Sequence, residues 1–136
     1  MDLVGDRWSM LVVREVFFGN HQFSQIARNT GAPRDRLSVR LRSLVEAGVL
    51  ERRSVSEESR HEGYYLTEAG KDLSHVLRAL LAWGNKWAVT TPPLRLAHHD
   101  HALEPESHCS TCGNTIEDTD LMGEMTVSGW DMSGRL

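Results

Sequence analysis

Apolar residues near the start of the chain recur at Leu3, Val4, Trp8, Leu11, Val12 and Val16, with mostly small or polar residues between them. This spacing predicts a helix over Asp2–Phe18, stopped by Gly19-Asn20. The helix begins almost at Met1 with no capping segment ahead of it, which suggests that residues precede Met1. His21-Gln22-Phe23 is short enough to serve as an edge strand. Ser24 is a plausible N-cap for a second helix, Gln25–Asn29, which Thr30-Gly31 closes. Leu37, Leu41, Leu44 and Val45 then fall at i, i+4, i+7 and i+8, one apolar stripe of a third helix over 33–47. Pro33 suits its first position and Gly48 the residue just past its end.

A strand candidate follows over Val49–Val55, then the polar turn Ser56–Gly63, then a second strand candidate, Tyr64–Leu66. Thr67 is the expected N-cap of a last long helix bearing Leu73, Val76, Leu77, Leu80, Leu81, Trp83 and Trp87. These cover more than one face, and positions 73, 76, 80, 83 and 87 approximate a coiled-coil seam. A helix this apolar in a small domain usually finds a partner, although burial within one subunit is the alternative. Thr90-Thr-Pro-Pro93 ends the helix and reads as a linker.

Charge placement turns this pattern into a functional expectation. Arg34, Arg36, Arg40 and Arg42 crowd the third helix against the single acid Asp35. At 100° per residue, Asp35, Arg36, Val39, Arg42, Ser43 and Glu46 lie opposite the apolar stripe, with Ser38 and Arg40 on the flanks. Taken alone, this could be an ordinary solvated face. The hairpin behind it carries Arg52, Arg53, Arg60 and His61, and a helix followed at once by a basic hairpin is the winged helix-turn-helix arrangement. The fold class expected is therefore mainly α with a small β-hairpin. It comprises a DNA-binding domain over 1–89 with dimerisation helices, and a C-terminal appendage over 90–136. The recognition helix, about 33–47, enters the major groove, and the wing, about 50–66, reaches flanking DNA. Candidate DNA contacts are Arg34, Arg36, Ser38, Val39, Arg40, Arg42, Ser43, Arg53, Arg60 and His61, and the partner is double-stranded DNA. Glu57 and Glu58 in the wing must point away from phosphate.

The formal net charge of −4 over 136 residues argues against DNA only until it is divided. Residues 1–89 hold 13 basic and 11 acidic side chains, net +2, whereas residues 90–136 hold 2 and 8, net −6. The local arginine cluster, not the total, governs phosphate contact. There is no apolar run of membrane-spanning length and no signal-peptide pattern, so a cytoplasmic protein without membrane contact is expected. Enzyme signatures are missing: there is no Gly-x-Ser-x-Gly, no phosphate loop and no His-Glu-x-x-His.

The tail gathers His98-His-Asp-His101, His108 and Cys109-Ser-Thr-Cys112-Gly113. In a reducing cytosol such a cysteine pair serves metal or redox chemistry more readily than a structural disulfide. Zinc takes four nitrogen or sulfur donors in a tetrahedron, and His98, His101, Cys109 and Cys112 form the expected set, with His108 as the other fourth ligand. An ordered metal-free tail and a disordered one are the alternatives. No cofactor is needed for DNA binding itself. A different functional class also stays open: a metal- or redox-responsive sensor, or a protein-interaction module, working through the tail. Met122, Met125, Val127 and Trp130 are candidates for a strand or helix that packs back.

Several blocks carry a family resemblance: Leu3-Val-Gly-Asp-Arg-Trp8, Leu11-Val-Val-Arg-Glu15, Phe23-Ser24 and Leu37-Ser-Val-Arg-Leu-Arg-Ser-Leu44. They continue with Glu46-Ala-Gly-Val-Leu-Glu-Arg-Arg53, Tyr65-Leu-Thr-Glu-Ala-Gly70 and Trp83-Gly84. In this order they resemble the HxlR-type family of bacterial transcriptional regulators over about residues 1–89. The resemblance implies a homodimeric winged-helix repressor or activator, joined through its first and last helices. It also implies that Arg36, Ser38, Val39 and Arg42 face bases or backbone. Many members carry a sensing cysteine just before the first helix. This sequence starts at Met1 and shows none there, so that role is not carried over.

Overall fold

The protein is described from a computed structural model covering residues 3–54, 61–124, 126, 128 and 129. It divides into two compact units, Met1–Pro93 and Leu94–Leu136. The expected linker Thr90–Pro93 groups with the first unit.

The first unit runs α1 (Arg7–Phe17), α2 (Phe23–Thr30), α3 (Arg34–Glu46), β1 (Leu50–Ser54), β2 (Glu62–Leu66) and α4 (Glu68–Trp87). β1 and β2 pair antiparallel, from Leu50 opposite Leu66 to Ser54 opposite Glu62. This is a four-helix fold with a small two-stranded wing. Val12, Val13 and Val16 of α1, Ile26 of α2, Leu37, Leu41 and Leu44 of α3 and Leu50 of β1 are buried together. Each such leucine contributes about 1.5–3 kcal/mol relative to exposure.

Three boundaries differ from the sequence reading, each for a local reason. α1 starts at Arg7, not Asp2, because Asp6 Oδ1 accepts from the amides of Trp8 (2.9 Å) and Ser9 (3.2 Å) and caps the helix. Leu3 fits the apolar period because it packs on the core from a turn. α2 starts at Phe23, not Gln25, and Ser24 is not its cap. Gln22 holds the extended cap position, where its amide donates to Gln25 Oε1 at 3.1 Å. That places His21–Phe23 outside any strand. The expected edge pairing shrinks to one backbone bond, Tyr64 N to His21 O at 2.9 Å. The His21 ring adds to it, stacking on Tyr65 at 4.1 Å with its Nδ1 2.8 Å from Tyr64 O. Pro33 occupies the N-cap of α3, one residue before its first turn.

Glu15 is buried, only 5% exposed, and fully engaged. Its Oε1 accepts from Arg14 Nε (3.0 Å) and Nη2 (2.7 Å), and its Oε2 from Asn20 Nδ2 (2.8 Å) and Asn29 Nδ2 (2.7 Å). A buried carboxylate is tolerated when its lone pairs are satisfied in this way. Here it ties α1 to the following turn and to the end of α2.

At the start of α4, Thr67 accepts from Gly70 N and donates through its hydroxyl to the carbonyl of Val49. A Cβ on Gly70 would stand 2.2 Å from that same carbonyl oxygen, so only glycine lets the helix approach. Beyond this point Leu73 and Leu77 pack on the core, while Val76, Leu80, Trp83 and Trp87 are exposed.

The second unit has β3 (Ala97–His98) paired with β4 (His101–Ala102), an isolated bridge between His108 and Thr115, and a 3-10 turn at Asp118–Asp120. None of its described residues is buried. Met122 is exposed and does not pack back as expected; Met125, Val127 and Trp130 lie outside the described residues.

Candidate nucleic-acid interface

The helix-turn-helix pair is α2 and α3. Gly31 closes α2 in the left-handed region at φ 67°, a conformation that costs glycine little. Thr30 Oγ1 bridges the turn, donating to Ile26 O (2.7 Å) and accepting from Ala32 N (3.2 Å). With Leu37, Leu41 and Leu44 buried, the rest of α3 must face outward. Arg34, Asp35, Arg36, Ser38, Val39, Arg42 and Glu46 are exposed, and Ser43 is half-buried.

The arginines separate into two groups. Arg36 and Arg42 have no ion-pair partner among the described residues, and Arg34 lies over the Phe23 ring at 5.2 Å. Arg40 is half-buried and turned to α1, its Nε 3.2 Å from Asp6 Oδ1, the oxygen that also caps α1. On the wing, Arg53 contacts Glu51 (3.1 Å) and covers the Tyr65 ring at 4.0 Å. Arg52 reaches Glu62 across the hairpin at 2.7 Å. Ser38 spends its hydroxyl proton on Arg34 O at 2.8 Å and keeps its oxygen as an acceptor. Val39, 53% exposed, is an apolar spot on an otherwise polar face, lining a shallow concavity with Trp8, Asp35, Arg36 and Arg40. His61 is exposed at the near end of the wing; Arg60, Glu57 and Glu58 lie outside the described residues.

Thus α3 brings Arg34, Arg36, Ser38, Val39 and Arg42 onto one solvent-facing surface, with Ser43 at its edge. Sequence reasoning missed Asp6 and Glu15, which set the position of α3 and α2. Asp6 carried a legible signal, an acid two residues before Trp8 at a helix start. Glu15 carried none, because its partners are scattered along the chain.

Of the sulfur and imidazole groups of the tail, His98 lies beside both His99 (ring centroids 4.2 Å apart) and His101, and His108 lies beside Glu106. His98 and His101 sit opposite each other in β3–β4, with ring centroids 5.6 Å apart. Cys109 and Cys112 flank a tight turn as free thiols, and Gly113 N donates to Cys109 O at 2.7 Å. The backbone amides of Cys112 and Thr111 face the Cys109 sulfur and lower its pKa below the ordinary thiol value. Among the described residues no three His, Cys, Asp or Glu side chains converge as a metal-holding group.

Comparison with known proteins agrees with the fold of the first unit. A family model described as HxlR-like helix-turn-helix matches residues 3–92. The uncharacterized HTH-type transcriptional regulator Rv3095 of Mycobacterium tuberculosis is 44% identical over 121 residues, 85% of this chain and 76% of its own. Among solved structures, PA1607, a candidate transcription factor, superimposes with a TM-score of 0.79 at 30% identity, covering 90% of this chain and 89% of its own. The reduced form of the transcriptional regulator YodB from Bacillus subtilis gives 0.54 at 26% identity, covering 66% and 89%. Rv3095 and PA1607 each match more of the chain than its first unit contains. Over residues 3–92, sequence and fold coincide, so the chain is a transcriptional regulator that belongs to the HxlR-like helix-turn-helix family.

Proposed function

We propose that the chain works as a homodimer that binds a partly palindromic DNA site, with α3 of each copy in the major groove and the wing on flanking backbone. The observation that carries this reading is the contrast between α3 and the wing. Arg36 and Arg42 are exposed and unpaired among the described residues, whereas every described wing arginine is held by an acid of its own chain. A free guanidinium beside an exposed valine is suited to base edges: arginine pairs bidentately with guanine, and an apolar side chain meets the thymine methyl. The wing arginines, oriented over tyrosine rings, suit backbone contact, which positions a protein without reading sequence. Ser38, Ser43, Arg34 and His61 complete the proposed contact surface, and Arg60 is a further candidate for backbone contact.

The exposed stripe Val76, Leu80, Trp83 and Trp87 supports a second copy as the partner, with α1 alongside α4 in the interface. A compact dimer covering promoter DNA excludes other proteins from it, which makes repression the simplest mode of action. No described helix is long and apolar enough to cross a membrane, and the protein works beside its DNA in the cytoplasm.

The test is fluorescence anisotropy on DNA from upstream of the protein's own gene. Arg36→Ala and Arg42→Ala should each weaken specific binding by about 1–3 kcal/mol if they read bases. A phosphate contact would instead lower affinity uniformly across sequences and flatten the salt dependence. Unchanged affinity in both variants removes α3 as the recognition helix.

A further inference from the structure

We propose that Cys109 and Cys112 form a dithiol–disulfide couple, in which Cys109 attacks a small disulfide carrying no negative charge and Cys112 closes the intrachain bond. Backbone bonds build the turn that holds them. Cys109 N donates to Asn114 O at 2.9 Å, and Gly113 N donates to Cys109 O at 2.7 Å. Gly113, at φ 77°, takes the left-handed conformation that leads the chain out of the turn. Cys109 and Cys112 therefore stand three residues apart around one bend. Residues so placed lie within about 7 Å at Cα, a separation that a disulfide spans.

Contact between the two side chains carries the proposal. The Cys112 thiol hydrogen-bonds the Cys109 sulfur, so the two sulfurs face each other while both are free thiols. The Thr111 hydroxyl and the amides of Thr111 and Cys112 point at the same sulfur. Donors of this kind favour the thiolate, which is the nucleophilic form of a cysteine. That assigns the attack to Cys109 and leaves Cys112, which is exposed, as the resolving thiol. Exchange with a disulfide needs a thiolate, a second thiol in reach and access, and no further catalytic group.

The surroundings select the co-substrate. No lysine or arginine stands between Arg95 and Arg135. Glu104, Glu106, Glu117, Asp118 and Asp120 are all exposed. The turn's own unit thus holds no cation near it in sequence to receive a carboxylate, and its acids favour a neutral or cationic disulfide over an anionic one. The Cys109 thiol first releases its proton to water. Its thiolate attacks one sulfur of R–S–S–R, forming Cys109–S–S–R and expelling R–S⁻, which takes up a proton. The Cys112 thiol then gives its proton to water and attacks the Cys109 sulfur, expelling the second R–S⁻, which is protonated in turn. The two protein thiols lose two electrons, the added disulfide gains them, and no net proton is consumed.

The experiment uses the full chain, reduced and freed of reductant, under excess hydroxyethyl disulfide at neutral pH, read by intact mass after alkylation. The wild-type chain should lose two hydrogens, resist alkylation and remain a single chain on a non-reducing gel, and dithiothreitol should restore both thiols. Cys112→Ser should stop at the mixed disulfide on Cys109. That adduct should form at least about tenfold faster than the adduct of Cys109→Ser. In urea the difference should vanish, because it belongs to the turn. Added salt should slow the reaction with cystamine and speed that with dithiodipropionate, more than for mercaptoethanol run alongside. A wild-type chain that stays a dithiol, stops at the mixed disulfide or is joined to a second chain overturns the proposal. Equal rates in the two serine variants, or a difference that survives urea, overturn the roles assigned to the turn. A salt response no larger than that of mercaptoethanol overturns the choice of co-substrate. DNA affinity enters none of these readouts, so the couple fails or stands apart from the DNA-binding reading.

Discussion

α3 and α4 are both amphipathic helices of one small unit, but they dispose of their apolar residues differently. The stripe of α3 is consumed inside the chain, with Leu41 1% exposed. α4 gives Leu73 and Leu77 to the core and leaves Leu80 52% exposed and Trp87 68% exposed. One helix is completed by its own fold and therefore frees its polar face for a ligand. The other leaves an apolar stripe open, which the proposed second copy would cover. The difference teaches that exposure of an apolar stripe, more than its presence, marks an interface.

Four substitutions break or sharpen this contrast. Leu41→Ala should cost about 2–5 kcal/mol in denaturant unfolding, because Leu41 is buried in the core cluster that α3 shares with α1 and β1. A loss as small as that of a surface change would mean that α3 is not anchored as described. Gly70→Ala should cost about 1–3 kcal/mol, since its methyl group must displace the Val49 carbonyl. The helix start would then move while the exposed half of α4 stays unchanged, and a thermal transition equal to wild type would refute the close approach.

Leu80→Ala is the decisive comparison with Leu41→Ala. In dilute solution it should change chain stability by less than about 1 kcal/mol, because the side chain is half free already. At higher concentration the cost should grow as dimerisation is lost, and Leu80→Glu should sediment as monomer. A concentration-independent cost equal to that of Leu41→Ala would bury Leu80 within one chain. The smallest effect belongs to Val39→Ala, within about 0.5 kcal/mol on stability. Its readout is base preference: discrimination at one position of the half-site should fall while binding to non-specific DNA is unchanged.

Much of the fold was legible because its signals are local. Leu37, Leu41 and Leu44 announce α3, Gly48 at φ 70° ends it, and Thr67 caps α4 as its side chain predicts. The errors fall where local signals compete. Leu3 and Val4 match the helical period, yet the Asp6 carboxylate starts α1 later. Ser24 is the better cap by composition, but Gln22 holds the extended backbone conformation that a cap requires. His21 looked like a strand residue and makes one backbone bond to β2. On the candidate interface, the exposure of Arg36 and Arg42 was readable from helical geometry. That Arg40, Arg52 and Arg53 are engaged by Asp6, Glu62 and Glu51 was not, because long side chains select partners only once the backbone has placed them.

Val49 has a mechanical consequence. Its amide donates to Leu44 O in the last turn of α3 at 2.9 Å, and its carbonyl accepts from the Thr67 amide at 3.1 Å, tight against Gly70. One peptide segment therefore ties the end of α3 to the start of α4. In a dimer built on α4, the crossing angle of the two long helices and the spacing between the two reading helices become one coordinate. In the dimer proposed above, a rotation of α4 by a few degrees would reach the DNA as a change of half-site spacing, where the pitch of DNA tolerates little error.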